Sequence, residues 1–174
     1  MKNLELKAVA TSLPRLRRVL RELGARQEPQ PLDQVDWYFT TPHGRLKLRQ
    51  RKGQPAAELI FYVRSDSARA RTSEYQKLPV ADAAGMLRLL RAMFAPGACV
   101  RKRRDLWLYG ETRIHLDRVA GLGTFVEIEV PFTGNATGAR RVMRTLKKRL
   151  GIGPGDVLAR SYADLLDRSA ARSE

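Results

Sequence analysis

Gly121-Leu122-Gly123-Thr124-Phe125-Val126-Glu127-Ile128-Glu129-Val130 begins with a glycine-bracketed turn and then alternates with a period of two. Successive side chains on a strand point to opposite faces, so Val126, Ile128 and Val130 share one face while Phe125, Glu127 and Glu129 share the other. The run before it, Thr112 to Val119, sorts the same way, with Ile114 and Leu116 opposing Arg113, His115 and Asp117. Neighbouring strands with one apolar and one charged face describe a sheet that buries one side only.

The same sorting extends outward along the chain. Leu4 and Leu6 oppose Asn3, Glu5 and Lys7. Leu46 and Leu48 oppose Arg45, Lys47, Arg49 and Arg51, and Leu59, Phe61 and Val63 oppose Ile60, Tyr62 and Arg64. Lys102 and Arg104 share a face of the run Val100 to Tyr109, and Val35 to Thr40 and Thr72 to Leu78 read as further strands. Between these lie helical periodicities. Leu13, Leu16, Val19, Leu20 and Leu23 recur at spacings of three and four after Ser12 and Pro14, with Gly24 as the stop. A second helix is expected from about Asp82 to Phe94 with Met86, Leu89, Leu90 and Met93 on one face. A third is expected over Ala139 to Leu150, and a short last one over Ser161 to Asp167.

A sheet of this kind either stays open with water on its charged face or closes into a barrel whose lumen carries the charges. The mixture of signs favours the lumen: Glu5, Asp117, Glu127 and Glu129 sit on the same faces as Lys7, Lys47, Arg49, Arg64, Lys102, Arg104 and Arg113. Glu127 and Glu129 project from one face roughly 6.5–7 Å apart, where carboxylates can share a hard cation such as Mg2+ or Mn2+. Arginines beside them suit phosphate, which they grip with two N–H groups. The plainer account is a set of cross-strand salt bridges on a wet face, each worth little.

Composition fits this picture. The 174 residues carry 33 Lys and Arg against 18 Asp and Glu, a formal charge of +15 that points to a polyanionic partner. Arg is the dominant base, 25 against 8 Lys. No apolar run is long enough to span a membrane, and Glu5 and Lys7 interrupt the first apolar stretch, unlike a signal peptide. One cysteine, Cys99, leaves no internal disulfide framework and no cysteine zinc site. A cytoplasmic location is expected, with one domain over residues 1–168 and a disordered tail over 169–174.

Taken in order, these segments resemble the CYTH superfamily, the triphosphate tunnel metalloenzymes, which include class IV adenylate cyclases and thiamine or inorganic triphosphatases. Asn3-Leu4-Glu5-Leu6-Lys7 stands where that family has a Glu-x-Glu-x-Lys strand, with Asn for the first Glu. The likeness continues through Asp36-Trp37-Tyr38-Phe39, Gly44 to Arg49, Leu59 to Arg64, Val100 to Arg104, Arg113 to Asp117 and Gly121 to Glu129, and closes with Arg160 to Leu166. The resemblance implies an α+β fold: a closed eight-stranded antiparallel barrel with a charged lumen and helices outside. It implies Glu5, Asp117, Glu127 and Glu129 as metal ligands. It implies Lys7, Lys47, Arg49, Arg64, Lys102, Arg104 and Arg113 as triphosphate binders, with Ser73 and Lys77 as further contacts. Glu5, Lys7, Glu127 and Glu129 are the implied catalytic set, with Mg2+ or Mn2+ as cofactor. Asn3 leaves the metal cage one charge poorer.

The activity this implies is cyclase-like conversion of ATP to cyclic AMP and pyrophosphate. The alternative is hydrolysis of tripolyphosphate, thiamine triphosphate or a nucleoside triphosphate. A non-catalytic module for RNA or polyphosphate, using the basic helix faces, ranks lower because it leaves the acidic residues without a task. The expected partner is therefore a small triphosphate rather than nucleic acid or membrane, and the expected state is a monomer or homodimer. His115 is a candidate general base or phosphate contact, with a neutral lining role as the plainer alternative. Tyr162 either helps close the tunnel or packs the last helix.

Overall fold

The computed structural model describes residues 2–63 and 71–170, apart from the side chains of 71–74 and 168–170. Its strands are β1 (Lys2–Val9), β2 (Arg26–Gln27), β3 (Leu32–Phe39), β4 (Arg45–Arg51), β5 (Ala57–Val63), β6 (Arg71–Val80), β7 (Pro96–Tyr109), β8 (Thr112–Val119) and β9 (Gly123–Phe132). The helices are α1 (Leu13–Glu22), α2 (Ala83–Met93), α3 (Thr137–Leu150) and α4 (Tyr162–Ala170), with one 3-10 turn at Pro154–Asp156. No helix among the described residues is long and apolar enough to cross a membrane.

All strand pairings are antiparallel, in the order β2-β7-β3-β4-β5-β6-β1-β9-β8, and β7 also pairs with β8. β7 serves both neighbours by its length: its first part pairs with β3 and its last part with β8, overlapping at 102–104. The architecture is α+β, a strongly curled antiparallel sheet with α1, α2 and α3 on its apolar outer face. The expected eight strands omit β2, whose two residues on the edge of β7 are too few to carry a periodic signal.

The helices form where the sequence places them and bury the faces that the strands leave dry. In α1 the Ser12 Oγ accepts the Arg15 N–H and Pro14 occupies the first turn, which satisfies an otherwise orphaned donor and presets the backbone. Leu13, Leu16 and Leu20 of α1 and Met143, Leu146 and Leu150 of α3 pack on Leu4, Leu6, Trp107, Ile114, Leu116 and Ile128. α2 covers Phe39, Leu48, Ala57 and Val80, but its contact face is Ala83, Met86, Leu87 and Leu90. Leu89 and Met93, expected on that face, are 53% and 63% exposed. A ladder of 86, 89, 90 and 93 is one of two overlapping apolar stripes in Met86-Leu87-Arg88-Leu89-Leu90, and periodicity alone does not separate them.

A third cluster closes one end of the inner face. Phe125 lies on the inward side as the alternation requires, but it is buried with Val100 and Val119 against Tyr162 and Ala163 of α4. The Phe125 and Tyr162 rings are 4.9 Å apart and tilted. α4 runs on to Ala170, past the expected end at Asp167, and the remainder of the expected tail, 171–174, lies outside the described residues. At the β3–β4 turn Gly44 has φ +68°, and a Cβ there would meet the Phe61 ring and the Tyr62 carbonyl at 2.8 Å, so the turn accepts no other residue without movement.

Candidate functional site

Inward positions from every strand but β2 line a cavity of about 280 Å³. Its wall is rich in charges, interspersed with Leu32, Ile60, Leu106 and several tyrosines, because the period-two alternation puts most apolar partners outside. Register then decides which charges meet. Lys7 on β1 lies opposite Glu127 on β9, which lies opposite His115 on β8. Glu5 lies opposite Glu129, which lies opposite Arg113. On the far wall Asp36 on β3 lies opposite Arg49 on β4.

Two ion-pair centres result. Asp36, fully buried, accepts from Arg49 Nε at 2.7 Å and Nη2 at 2.8 Å, from Lys102 at 3.0 Å and from Lys47 at 3.1 Å. Burial alone would raise its carboxyl, but Arg49, Lys102 and Lys47 outweigh that and hold it well below the usual range. The reverse holds for Lys102: burial is the largest effect, and Asp36 is shared with Lys47 and Arg49, so its ammonium is pushed down to about 7. Across the cavity Arg104 makes two bonds of 2.7 Å to Asp117 and one of 2.8 Å to Glu127 Oε2. Lys7 donates to Glu127 Oε1 at 2.8 Å and sits 3.7 Å over the Tyr162 ring. Tyr162 donates its hydroxyl to Asp117 Oδ2 at 2.9 Å.

A third grouping has open donor atoms. His115, Glu127 and Glu129 each offer one ligand atom within 4.8 Å of the others. His115 Nδ1 stands 3.5 Å from Glu127 Oε2 and 3.5 Å from Glu129 Oε1. It is buried and has no hydrogen-bond partner, and the same is true of both amide atoms of Asn3 on the cavity wall. Two carboxylates and an unpartnered imidazole nitrogen at this spacing fit a divalent cation, so these donors suit the metal implied by the fold.

Of the expected metal ligands, the structure brings Glu127 and Glu129 into this group. Glu5 lines the same cavity, whereas Asp117 is fully buried in its bonds to Arg104 and Tyr162. Lys7, Lys47, Arg49, Lys102, Arg104 and Arg113 all line the cavity. Lys77 lies at its exposed rim, bonded to Glu58 at 3.0 Å. Arg64 and the Ser73 side chain lie outside the described residues. Asp36 was not foreseen as a site residue, nor were Gln34, Tyr38, Tyr62 and Tyr75, which share the wall. The signal for Asp36 was its parity with Gln34 and Tyr38, blurred by Asp33 on the other face of the same strand.

A family model for the CYTH domain matches residues 1–162. No curated protein matches the chain. Among solved structures, a protein of Pyrococcus horikoshii superposes with a TM-score of 0.85 at 24% identity, over 94% of this chain and 98% of that one. A candidate adenylate cyclase of Vibrio parahaemolyticus gives 0.77 at 20%, over 95% and 97%. A candidate adenylyl cyclase of Hippeastrum, described as having a dominant triphosphatase activity, gives 0.66 at 16%, over 97% and 96%. At such identities the likeness shows a shared fold.

Proposed function

The chain belongs to the CYTH-domain family, and on that premise we propose that its charged cavity is the tunnel of a divalent-metal-dependent enzyme acting on a triphosphate-bearing small molecule. The observation that carries this is the imbalance on the wall: Lys7, Lys47, Arg49, Lys102 and Arg104 converge on Asp36, Asp117 and Glu127. A compact polyanion entering the cavity would neutralise that surplus. The β7–β8 pairing supports reading the curled sheet as closed around it, within a single domain over 1–168.

In this reading Arg49 and Arg104, each already oriented by a buried carboxylate, present their remaining N–H groups to phosphate oxygens, while Lys47 and Lys102 add point charges. Lys7 reaches the same space from β1. Glu127 and Glu129, with Glu5 beside them in register, hold Mg2+ or Mn2+. When bound, such an ion neutralises phosphoryl oxygens and orients an attacking oxygen in line. Asp117 and Asp36 keep the arginine planes fixed, so the site is organised before substrate arrives.

Hydrolysis of the terminal phosphate is the reaction this wall favours, because cations face the cavity from both sides and the reaction needs only the phosphates and water. One feature favours cyclisation of ATP instead. Gln34 is buried on the wall and its side-chain carbonyl has no partner, an acceptor suited to the exocyclic amine of adenine. Product analysis decides between them. With tripolyphosphate or ATP and Mg2+ or Mn2+, release of phosphate supports hydrolysis and cyclic AMP with pyrophosphate supports cyclisation. Tight binding of tripolyphosphate with no product under any condition would overturn the enzymatic reading.

A further inference from the structure

We propose that His115 Nδ1 is a ligand of the divalent cation, completing a mixed nitrogen and oxygen site with Glu127 and Glu129. This rests on the metal-dependent reading above and deepens it. The imidazole is 5% exposed, yet its Nδ1 finds no hydrogen bond. A buried polar atom left in that state costs stability unless a partner arrives. The atom faces Glu127 Oε2 and Glu129 Oε1 at equal distances of 3.5 Å, too long for good hydrogen bonds and open enough to admit an ion between the three. β-sheet register holds the trio: His115 is directly opposite Glu127, and Glu129 is two residues along the same strand and the same face.

The carboxylates have the capacity. Glu127 accepts from Lys7 at Oε1 and from Arg104 at Oε2, and Glu129 accepts from Arg113 at Oε2. That leaves lone pairs on Glu127 Oε2 and Glu129 Oε1, the two oxygens that face the imidazole. Asn3 also lies on this cavity wall, on β1, as a neutral amide, so it adds no charge for an ion to use. An imidazole strengthens such a site by donor type rather than by charge. Nitrogen donors favour Mn2+ and, more strongly, Co2+ over Mg2+, which prefers an all-oxygen octahedron. The chain should therefore discriminate among these ions before any substrate is present.

The test uses the metals alone on the full chain. Pulsed EPR of the Mn2+-loaded protein should show coupling to an imidazole nitrogen, a readout that needs no mutation. His115→Gln should abolish that coupling and weaken Co2+ binding by about tenfold or more, while Mg2+ affinity changes by less than about threefold. His115→Asn serves as the second variant, with thermal unfolding as the check on folding. Mn2+ bound without nitrogen coupling would overturn the proposal and leave the triphosphate reading standing. Failure to bind Mn2+, Co2+ or Mg2+ at all would overturn both the proposal and the metal dependence on which it rests.

Discussion

Glu127 and Glu129 are two residues apart on one strand, but their loss should be felt differently. Glu129 is bonded to Arg113, whose side chain is 37% exposed and can turn to water when its partner goes. Glu129→Gln should therefore change stability by under about 1 kcal/mol while lowering turnover by about a hundredfold or more. Glu127 neutralises Lys7 and Arg104, both buried. Glu127→Ala should lose turnover and also about 3–5 kcal/mol of stability, because two buried cations are left short of charge. Denaturant melts beside initial rates would separate the two, and equal stability loss in both variants would contradict the placement. Lys102 makes a pH prediction. Burial pushes its ammonium from the ordinary 10.5 down to about 7 in the folded chain. Between those values the unfolded chain holds a proton that the folded chain lacks, so Lys102 contributes stability that rises with pH across that window, with its penalty complete below it. A bound triphosphate favours the charged ammonium, so binding near pH 8 should take up a proton and weaken as pH rises. Calorimetry in buffers of different ionisation enthalpy reads that proton, and Lys102→Met should remove the dependence.

At the scale of elements, alternation along β1, β4, β8 and β9 was legible because each pairs short apolar residues on one side with charges on the other. That pattern was enough to place Lys7, Lys47, Arg49, Arg113, Glu127 and Glu129 on one inner wall. It did not say which of them would touch. Asp117 shares parity with His115, yet it is sealed beneath Tyr162, because α4 arrives from 45 residues further along the chain to cover that end. The inner face of β3 escaped because polar residues occupy both sides of the strand, Asp33 outward and Gln34 and Asp36 inward, so it presents no clean stripe. α2 shows the converse failure, too many apolar residues rather than too few. Its observed face yields a direct test. Leu90, buried against Leu48 and Val80, should cost about 2–5 kcal/mol when cut to Ala. Leu89→Ala should stay within about 0.5 kcal/mol. Comparable losses in the two would mean that α2 sits on the sheet by the other stripe.

For the whole molecule, the +15 charge divides into an inner part gathered around Asp36, Asp117 and Glu127 and an outer part spread over α3 and the outward positions of the sheet. On α3, Arg140, Arg141, Arg144, Lys148 and Arg149 are exposed. A second cavity, about 520 Å³, is edged by Arg101, Arg103 and Arg118, with Arg103 and Arg118 directly opposed in register. Like charges opposed across strands work against folding, and none of these groups touches the inner cavity. Their common effect is a positive field around the molecule, which draws a polyanion toward it and raises the encounter rate without altering the bound state. Replacing Arg140, Arg144 and Lys148 together by Gln should therefore lower kcat/KM for a triphosphate several-fold at low salt and leave kcat unchanged. The deficit should vanish near 1 M salt, where the Debye length falls to about 3 Å. A change in kcat, or a deficit that persists at high salt, would mean that the α3 bases contact the substrate and that the outer charge belongs to the site itself.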